Sequence, residues 1–250
     1  MHGVVLAGGR GTRLLPMTRV VNKHLLPVYD QPMIHYPLAS LRTANIRRAC
    51  VVVGGREPGE FQELLGDGSE FGFTDLSFVE QEGEGGIAAA LACARSTVDN
   101  SPICVVLGDN ILEDSLAPFA EQFASSGRDA MVLLSRVRDP QRFAVPSFDE
   151  NGRVVAIEEK PSRPACDLAV VGVYFYGPSV WRVVETIAPS SRGELEITDV
   201  NNYYAVRGDL AHGVLGGFWG DAGTVESLLD VSVRVRQWRQ RDSSVIASGR

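Results

Sequence analysis

The chain has 250 residues, of which 44 % are apolar and 22 % charged. It can therefore bury a complete hydrophobic core without covalent cross-links or a partner chain. Its formal net charge of −7 argues against nucleic-acid and anionic-membrane partners, because binding a polyanion requires a basic face. The N-terminus lacks the basic flank of a signal peptide, and no apolar run is long enough to span a membrane. We therefore expect a soluble, cytoplasmic protein.

The cysteines do not form a metal-binding or redox pattern. They lie inside apolar runs without CxxC spacing, which favours buried, reduced thiols over disulfides or zinc ligands. We therefore expect thiols within the hydrophobic core at Cys50, Cys93, Cys104 and Cys166.

The first half of the sequence alternates between strands and helices. Buried-strand runs are VVLAGG, ACVVVGG, LSFVEQ, ICVVLGD and AMVLLSRV, and helical patterns fall around residues 33–45, 59–65, 86–96 and 116–125. This order predicts an α/β fold of Rossmann-like type, with a mostly parallel sheet and helices on both of its faces.

The second half has a different pattern. FAVPSFDENGRVVAIEEKP contains two extended runs around a turn at 149–152, and LAVVGVYFYG predicts a further strand. Helices are expected at 178–187 and at 224–238, the latter with one face formed by Val225, Leu228, Ser232, Val235 and Trp238. This half is therefore predicted to be mixed and partly antiparallel, within one domain spanning residues 1–250.

A glycine-rich loop follows the first predicted strand, in VVLAGGRGTRL. Its uncrowded backbone N–H groups can point at a bound anion. It is not a Rossmann fingerprint, since the third glycine would fall at Leu14, and the chain has no Walker loop. Arg13 and Lys23 follow within a segment, residues 1–29, that contains no Asp or Glu, so the loop is predicted to hold a polyphosphate. A plain turn is the alternative.

Only two of the 24 basic residues are lysines, Lys23 and Lys160. An ammonium group is a compact point charge and differs chemically from a planar guanidinium. The two lysines therefore indicate positions where a site requires a point charge. Chance combined with a GC-rich coding bias is the alternative interpretation.

Two aspartates suit a divalent cation. Asp109, in ICVVLGDN, follows a strand at the edge where open α/β sheets bind ligands, and Asp221 lies in the glycine-flanked FWGDAGT. Two converging carboxylates would suit Mg²⁺, although a turn or helix-cap role explains each aspartate equally well.

Two further polar segments can be explained by local structure, without a functional role. In EEKP, alternation along a strand sends Glu159 to the face opposite Glu158 and Lys160, as at any solvated strand end. Arg192, in SSRGELEITD, is explained by a loop that leads into a helix.

Taken in order, these motifs resemble a known family. They are LAGGRGTRLLPMT, NKHLLPVYDQPMI, LLGDGSEFG, QEGEGGIAAAL, VLGDNILEDS, DPQRF, EEKP, RGELEITD and FWGDAGT, covering nearly all of residues 3–230. The chain resembles the sugar-1-phosphate nucleotidyltransferases, most closely glucose-1-phosphate thymidylyltransferases of the short type.

The resemblance implies a nucleotide-binding half at about 1–137 and a sugar-binding half at about 138–250. The nucleotide residues it implies are Leu6, Gly8, Gly9, Gly11, Thr12, Arg13, Lys23, Gln81, Gly86 and Asp109. The sugar-phosphate residues it implies are Asn110, Ala144, Glu159, Lys160, Val170 and Arg192. It assigns catalysis to Arg13, Lys23 and Asp109, and a Mg²⁺ ion to Asp109 and Asp221.

The implied reaction joins a sugar 1-phosphate, expected to be glucose 1-phosphate, to a nucleoside triphosphate, expected to be dTTP, with release of pyrophosphate. No protein nucleophile is needed because a phosphate oxygen is already ionised, so the four histidines need no acid–base role; His24, beside Lys23, could touch the nucleotide. The alternatives are a modified or carbocyclic sugar phosphate, another nucleotide, or a catalytically silent sugar-nucleotide-binding regulator.

The sequence departs from the family pattern at three places. Ala144 stands where the family usually has glycine beside the sugar, and Val171 stands where threonine is common. Strand alternation places Val171 opposite Val170 and Gly172, towards the core. The longer thymidylyltransferases continue beyond the point matched by Arg250, so the family's tetramer and its second, regulatory nucleotide site are not carried over, and a homo-oligomer stays an open alternative.

Overall fold

The structure is a computed structural model that describes residues 1–54, 58–83 and 85–248. Gly55, in the second predicted strand run, and Glu84, in QEGEGGIAAAL, lie outside the described residues. The strands are β1 (His2–Ala7), β2 (Pro27–Val28), β3 (Gln31–Pro32), β4 (Arg48–Gly54), β5 (Asp75–Gln81), β6 (Ile103–Leu107), β7 (Asn110–Leu112), β8 (Ala130–Arg136), β9 (Ala144–Phe148), β10 (Val154–Glu159), β11 (Leu168–Tyr176), β12 (Leu210–Val214) and β13 (Trp219–Asp221). The α-helices are α1 (His35–Thr43), α2 (Pro58–Leu65), α3 (Ile87–Cys93), α4 (Ala117–Ser126), α5 (Val180–Thr186), α6 (Ile197–Ala205) and α7 (Val225–Ser248).

A seven-stranded sheet forms the centre of the protein, in the order β12-β8-β11-β6-β1-β4-β5. Its neighbouring strands are parallel except at β11, which runs antiparallel to both β6 and β8. The predicted mostly parallel sheet with an antiparallel contribution from the second half is confirmed. The remaining strands pair in three small antiparallel ladders, β9 with β10, β7 with β13 and β2 with β3.

Helices cover both faces of the sheet, as predicted. Residues such as Val4 and Val52 face a core formed with α3, α5 and α6, whereas Val5 and Val51 face a second core formed with α1, α2 and α4. The same alternation separates Val170 from Val171, which is fully buried in the second core. The expectation that Val171 serves the core is therefore confirmed.

The last helix differs from its prediction. It continues to Ser248 instead of ending at Trp238, and it packs on β2 and the loop after β13 through Val231 and Val235. Val225, predicted to lie on the inward face, is 46 % exposed. At 100° per residue, Val231 lies about 60° from Leu228 and about 40° from Val235, on the side away from Val225. The inward face is therefore turned towards Val231 and away from Val225.

The helix α6 and the strand β12 were not predicted. In α6 the buried apolar residues Ile197, Val200 and Tyr204 do have a helical i, i+3, i+7 spacing. Polar residues, Thr198 and Asn201, share the buried face and interrupt this short pattern, so the helix was missed. In β12, His212 and Gly213 interrupt the apolar run, so the segment lacks the pattern of a buried strand. It forms a strand because it pairs with β8. The turn at 149–152 is confirmed, with the Asp149 side chain accepting two backbone N–H groups.

The four cysteines are free thiols. Cys50 and Cys104 are fully buried in the sheet, which confirms the prediction for them. Cys93, near the end of α3, and Cys166, in the loop before β11, are only half-buried, because neither lies on a strand that is covered on both faces.

We predict that His2→Val flattens the pH dependence of folding stability between about pH 7.5 and pH 5. The side chain is 2 % exposed, and among the described residues neither ring nitrogen has a hydrogen-bond partner. Burial, aided by the charge of Arg48, lowers the pKa of His2. The unfolded chain then binds a proton that the folded chain does not, so stability is lost as pH falls below about 6.5.

Urea unfolding at each pH measures this effect, to which one histidine contributes at most about 1.4 kcal/mol per pH unit. Equal slopes in the wild type and in His2→Val would show that the imidazole titrates alike in both states.

Candidate active site

The carboxyl ends of β1, β4, β5 and β6 meet at one edge of the sheet, and the glycine-rich loop begins there. A Cβ on Gly54, the last residue of β4, would lie 2.9 Å from Gly8 Cα. A Cβ on Gly8 would lie 2.4 Å from Oε1 of Gln81, at the end of β5. The loop therefore lies flat across the strand ends because these positions carry no side chain.

The loop keeps its course through backbone conformations that favour glycine. Gly9 and Gly11 have φ angles of +97° and +63°. The hydroxyl of Thr18 donates to the Gly11 carbonyl (2.8 Å), and Thr12 begins a short 3₁₀ turn, Thr12–Leu14. The loop is thus a fixed element in which glycine N–H groups stand without side chains beside them.

A buried ion pair joins the loop region to the strand β6. Lys23 Nζ lies 2.6 Å from Asp109 Oδ2, and the Lys23 side chain passes Gly9. Asp109 is placed by the N–H of Gly108, which donates to the Leu6 carbonyl (2.9 Å). Burial acts to raise the pKa of Asp109, but the Lys23 ammonium group holds that pKa well below its usual range.

The second aspartate lies beside the first. Asp221 ends β13 opposite Asn110, and the N–H of Ala222 donates to the Asp109 carbonyl (2.9 Å). Burial, followed by the negative charge of Asp109, raises the pKa of Asp221 to about 6. The Arg13 guanidinium reaches the same loop, since a Cβ on Gly223 would lie 3.4 Å from Nη2. Arg13, Lys23, Asp109 and Asp221 therefore form one cluster.

His24 does not face this cluster, contrary to the suggestion that it touches the nucleotide. It is 1 % exposed and packs under Gly108, where a Cβ would lie 2.6 Å from Cδ2 of the ring. Its Nδ1 and its backbone N–H both contact Oδ1 of Asn22 (2.9 and 3.0 Å), while Asn22 Nδ2 donates to the Gly54 carbonyl (3.0 Å). Burial and Lys23 lower the pKa of His24 to about 3, so the ring is neutral.

Asn110 connects the two halves of the protein. It is 3 % exposed, and its Oδ1 accepts from the N–H of Gly172 (2.9 Å) and from Nε1 of Trp219 (2.7 Å). Its Nδ2 donates to Asp109 Oδ1 (3.1 Å). Gly172 follows Val170 in β11, so this contact brings the start of β11 to the edge that carries Asp109.

Glu159 and Lys160 end the hairpin of β9 and β10, where Ala144 pairs with Glu159. The hydroxyl of Thr198, on α6, donates to Glu159 Oε2 (3.1 Å), and Lys160 Nζ lies 3.3 Å from Oε1. The expectation that Glu159 and Lys160 point to opposite faces is wrong. The strand ends at Glu159, and Lys160 has a φ of +47°, which turns its side chain back.

Arg192 is half-exposed and is held by acidic neighbours. Its guanidinium donates to Glu196 Oε1 (2.8 Å) and lies 3.6 Å from Glu194. Gly86 lies beside the same loop, since a Cβ there would be 2.6 Å from the Leu195 carbonyl. Gly86, which is assigned to the nucleotide, thus contacts the Arg192 loop.

Other polar residues of this region were missed from the sequence. Trp219, Thr198, Glu196 and Asn22 each contact one of the residues above. All four lie inside motifs that carry the family resemblance: Asn22 in NKHLLPVYDQPMI, Glu196 and Thr198 in RGELEITD, and Trp219 in FWGDAGT. Their partners lie elsewhere in the chain, so the motifs alone did not indicate the contacts.

The fold and the charged cluster together define the class of protein. It is an α/β protein with two cationic and two carboxylate side chains at the carboxyl edge of its sheet. The chain belongs to the nucleotidyl transferase family, whose model matches residues 2–237. Nucleotidyl transferases of this kind generally use a divalent metal ion.

Several known proteins are similar over most of their length. A glucose-1-phosphate thymidylyltransferase of Neisseria meningitidis is 46 % identical over 231 residues, which is 91 % of this chain and 80 % of that protein. One from Actinoplanes is 44 % identical over 90 % of this chain and 75 % of its own length. A Bacillus anthracis crystal structure assigned to the same enzyme superposes with a TM-score of 0.89 at 41 % identity, covering 94 % of this chain and 96 % of that one.

A more distant structure supports the fold alone. A UDP-glucose pyrophosphorylase complexed with UDP-glucose is 22 % identical and has a TM-score of 0.83, over 94 % of this chain and 98 % of that one. The α/β architecture is therefore kept at low identity. Among the described residues no helix is long and apolar enough to cross a membrane.

We predict that Asp221→Asn stabilises the fold at pH 8 by about 1–3 kcal/mol, from a pKa about two units above its unfolded value. A carboxyl whose pKa is raised in the folded state lowers the stability of the protein as the pH rises from about 4, its unfolded pKa, through about 6, and the loss is complete above that pH. Asparagine keeps the acceptor for the Gly223 N–H, now 2.7 Å from Oδ1. Urea unfolding should show the gain at pH 8 and its decrease towards pH 4.

Asp109→Asn is the matched control. It leaves Lys23 buried beside a neutral amide, so it should destabilise the protein. Stabilisation by both changes, or by neither, would contradict the assigned charges.

Proposed function

We propose that this protein condenses glucose 1-phosphate with dTTP to give dTDP-glucose and pyrophosphate. The observation that carries the proposal is the cluster of Arg13, Lys23, Asp109 and Asp221 beside a glycine-rich loop at the carboxyl edge of the sheet. The thymidylyltransferases at 44–46 % identity supply the identity of the two substrates.

The triphosphate binds along the glycine-rich loop. The loop and the end of β1, residues 6–12, offer backbone N–H groups to phosphate oxygens, and Arg13 and Lys23 neutralise their charge. Gln81, buried at the end of β5, and Gly86, before α3, read the base. Together these residues make up the nucleotide-binding half of a single domain.

The sugar phosphate binds on the other side of Asp109. Glu159 and Asn110 offer acceptors and a donor to sugar hydroxyls, while Ala144 and Val170 shape the pocket. Lys160 and Arg192 bind the phosphate, for which Arg192 exchanges its pairing with Glu196 for a phosphate contact. The sugar 1-phosphate and the α-phosphorus are thereby brought together on either side of Asp109.

The donor set fits a magnesium ion. Asp109 and Asp221 provide oxygen ligands only. Burial first, and then repulsion from Asp109, raises the pKa of Asp221, and a cation bound by both carboxylates would relieve that repulsion. Within the described part of the chain no group of three or more His, Cys, Asp or Glu could hold a metal, and Asp109 and Asp221 are the residues that would hold the ion. When bound, the ion supplies positive charge to the reacting phosphates.

The chain's own residues act by positioning and by charge. An oxygen of the sugar phosphate attacks the α-phosphorus in line, the bond to the β-phosphate oxygen breaks, and pyrophosphate leaves. Lys23 lies where it stabilises the charge that builds up on the α-phosphate, and Arg13 holds the leaving phosphates. No protein group forms a covalent bond, and no proton has to be removed from the attacking phosphate.

Pyrophosphate release with a matrix of nucleoside triphosphates and sugar 1-phosphates tests the proposal. We expect the highest kcat/KM for dTTP with glucose 1-phosphate, and loss of activity on chelation of divalent cations. The matrix should include deoxy, amino and carbocyclic analogues of glucose 1-phosphate. They are included because the methyl group of Ala144, where the family usually has glycine, leaves less room in the proposed sugar pocket. A higher kcat/KM with one of the analogues would change the proposed sugar substrate. Absence of pyrophosphate release with every pair would reject the proposed reaction.

We predict that Lys23 acts on the nucleotide and Lys160 on the sugar phosphate. Lys23→Ala should mainly lower kcat, by about 100-fold or more, because it removes charge stabilisation in the transition state. Lys160→Ala should mainly raise the KM for the sugar phosphate. Arginine should rescue neither, since its planar guanidinium places the charge elsewhere.

Arg136→Ala, which removes an exposed ion pair with Asp167, is the matched control and should leave both constants unchanged. Equal effects on kcat and KM in both lysine variants would contradict the division.

A further inference from the structure

The segment from Ser190 to Asn202 contacts the nucleotide side of the site through its backbone. The N–H of Leu195 donates to the Gly85 carbonyl (2.8 Å), and the Leu195 carbonyl accepts from the N–H of Ala88 (3.0 Å). The left-handed φ of Gly86 and the missing side chain there allow this approach. The loop that leads into α3 is therefore fixed against Leu195.

The same segment contacts the sugar side at several points. Glu196 holds Arg192 and also accepts from the Ser190 hydroxyl (2.8 Å). Thr198 donates to Glu159. The groups assigned to the two substrates are thus connected through about a dozen consecutive residues that span a loop and the first turns of α6.

Asn202 makes the most specific of these contacts. Its Nδ2 donates to the Ile157 carbonyl (2.8 Å), and its Oδ1 accepts from the Ile157 N–H (2.8 Å). One side-chain amide thereby satisfies both backbone groups of a residue in the middle of β10. The next residues along the chain from Ile157 are Glu158, Glu159 and Lys160.

The sequence explains why Ile157 needs this partner. Its neighbour across the hairpin is Pro146, which has no N–H, so a hydrogen-bonded pair cannot form there. In the two-stranded ladder of β9 and β10 the outer side of β10 has no third strand. The amide of Asn202 takes the place of that strand and fixes β10 on α6.

We infer that the segment from Ser190 to Asn202 couples the two substrate sites, with Asn202 as the positioning residue that holds Glu159 and Lys160 for the sugar phosphate. This inference rests on the proposed function. A nucleotide that binds against Gly85 and Gly86 acts on Leu195 through these backbone hydrogen bonds, and through Leu195 on the residues that bind the sugar phosphate. By linkage, each substrate then strengthens the binding of the other by the same factor.

Calorimetric titration of glucose 1-phosphate, with and without an α,β-methylene analogue of dTTP that cannot react, measures the coupling. The wild type should bind the sugar phosphate at least about fivefold more tightly with the analogue present. Asn202→Ala should weaken sugar-phosphate binding by about tenfold, for two lost hydrogen bonds, and should reduce the coupling to less than twofold. Affinity for the analogue alone should be unchanged.

Two further variants separate positioning from general stability. Asn202→Asp keeps the size and the acceptor for the Ile157 N–H but turns a donor into a charge facing the Ile157 carbonyl, so it should behave like Asn202→Ala and remain folded. Arg207→Ala, at a residue beyond the end of the same helix, removes contacts with Tyr203 and, in the described part of the structure, none with the strand β10 that carries Ile157. It should leave both affinities and the coupling at wild-type values.

The outcomes distinguish the inference from the proposed function. Wild-type coupling in both Asn202 variants, even with a lowered melting temperature, would overturn the inference and leave the reaction standing. A wild type that binds both substrates without coupling would do the same. A wild type that neither binds glucose 1-phosphate nor releases pyrophosphate would reject the proposed function, and the inference with it.

Discussion

The buried pair of Lys23 and Asp109 is the interaction on which the rest of the site depends. Removing two charges from water costs more than an ordinary contact returns, so a buried ion pair is weak evidence of a stabilising role. Here the pair is supported on both sides. His24 and Asn22 hold the lysine segment against Gly54 and Gly108, and Asn110 donates to the free oxygen of Asp109. The surrounding fold therefore maintains a concentration of charge that suits an ionic ligand.

The glycines of the site act through the space they leave as much as through their freedom of rotation. A Cβ would strike Gln81 from Gly8, His24 from Gly108 and Asn110 from Gly172. In each case a polar side chain lies directly against a backbone that could not otherwise come so close. All three of these glycines have ordinary φ angles, so a search for turn glycines alone would have passed over them.

The sequence was informative where the determinants are local. Buried runs predicted all strands of the central sheet except β12. The end of one run predicted the place of Asp109, because parallel strands bring their carboxyl ends to one edge, and the glycine-rich loop in an acid-free segment drew attention to Arg13 and Lys23. The roles of Gly86, Glu159 and Arg192 came from the family resemblance, and their contacts needed the structure. The pairing of Arg192 with Glu196 and of Asn202 with Ile157 involves α6 and the residue before it. This helix was missed because Thr198 and Asn201 interrupt its short apolar pattern.

The antiparallel strand β11 explains how one sheet edge receives residues from both halves. A parallel strand enters the sheet at the edge opposite the site, whereas β11 enters at the carboxyl edge, with Leu168 beside Arg136 and Tyr176 beside Ala130. The hairpin of β9 and β10 immediately precedes β11 in the chain, so it must lie at that edge. Asn110 then fixes the register by binding Gly172. Reversing one strand is thus the topological step that places Glu159 and Lys160 across from the glycine-rich loop.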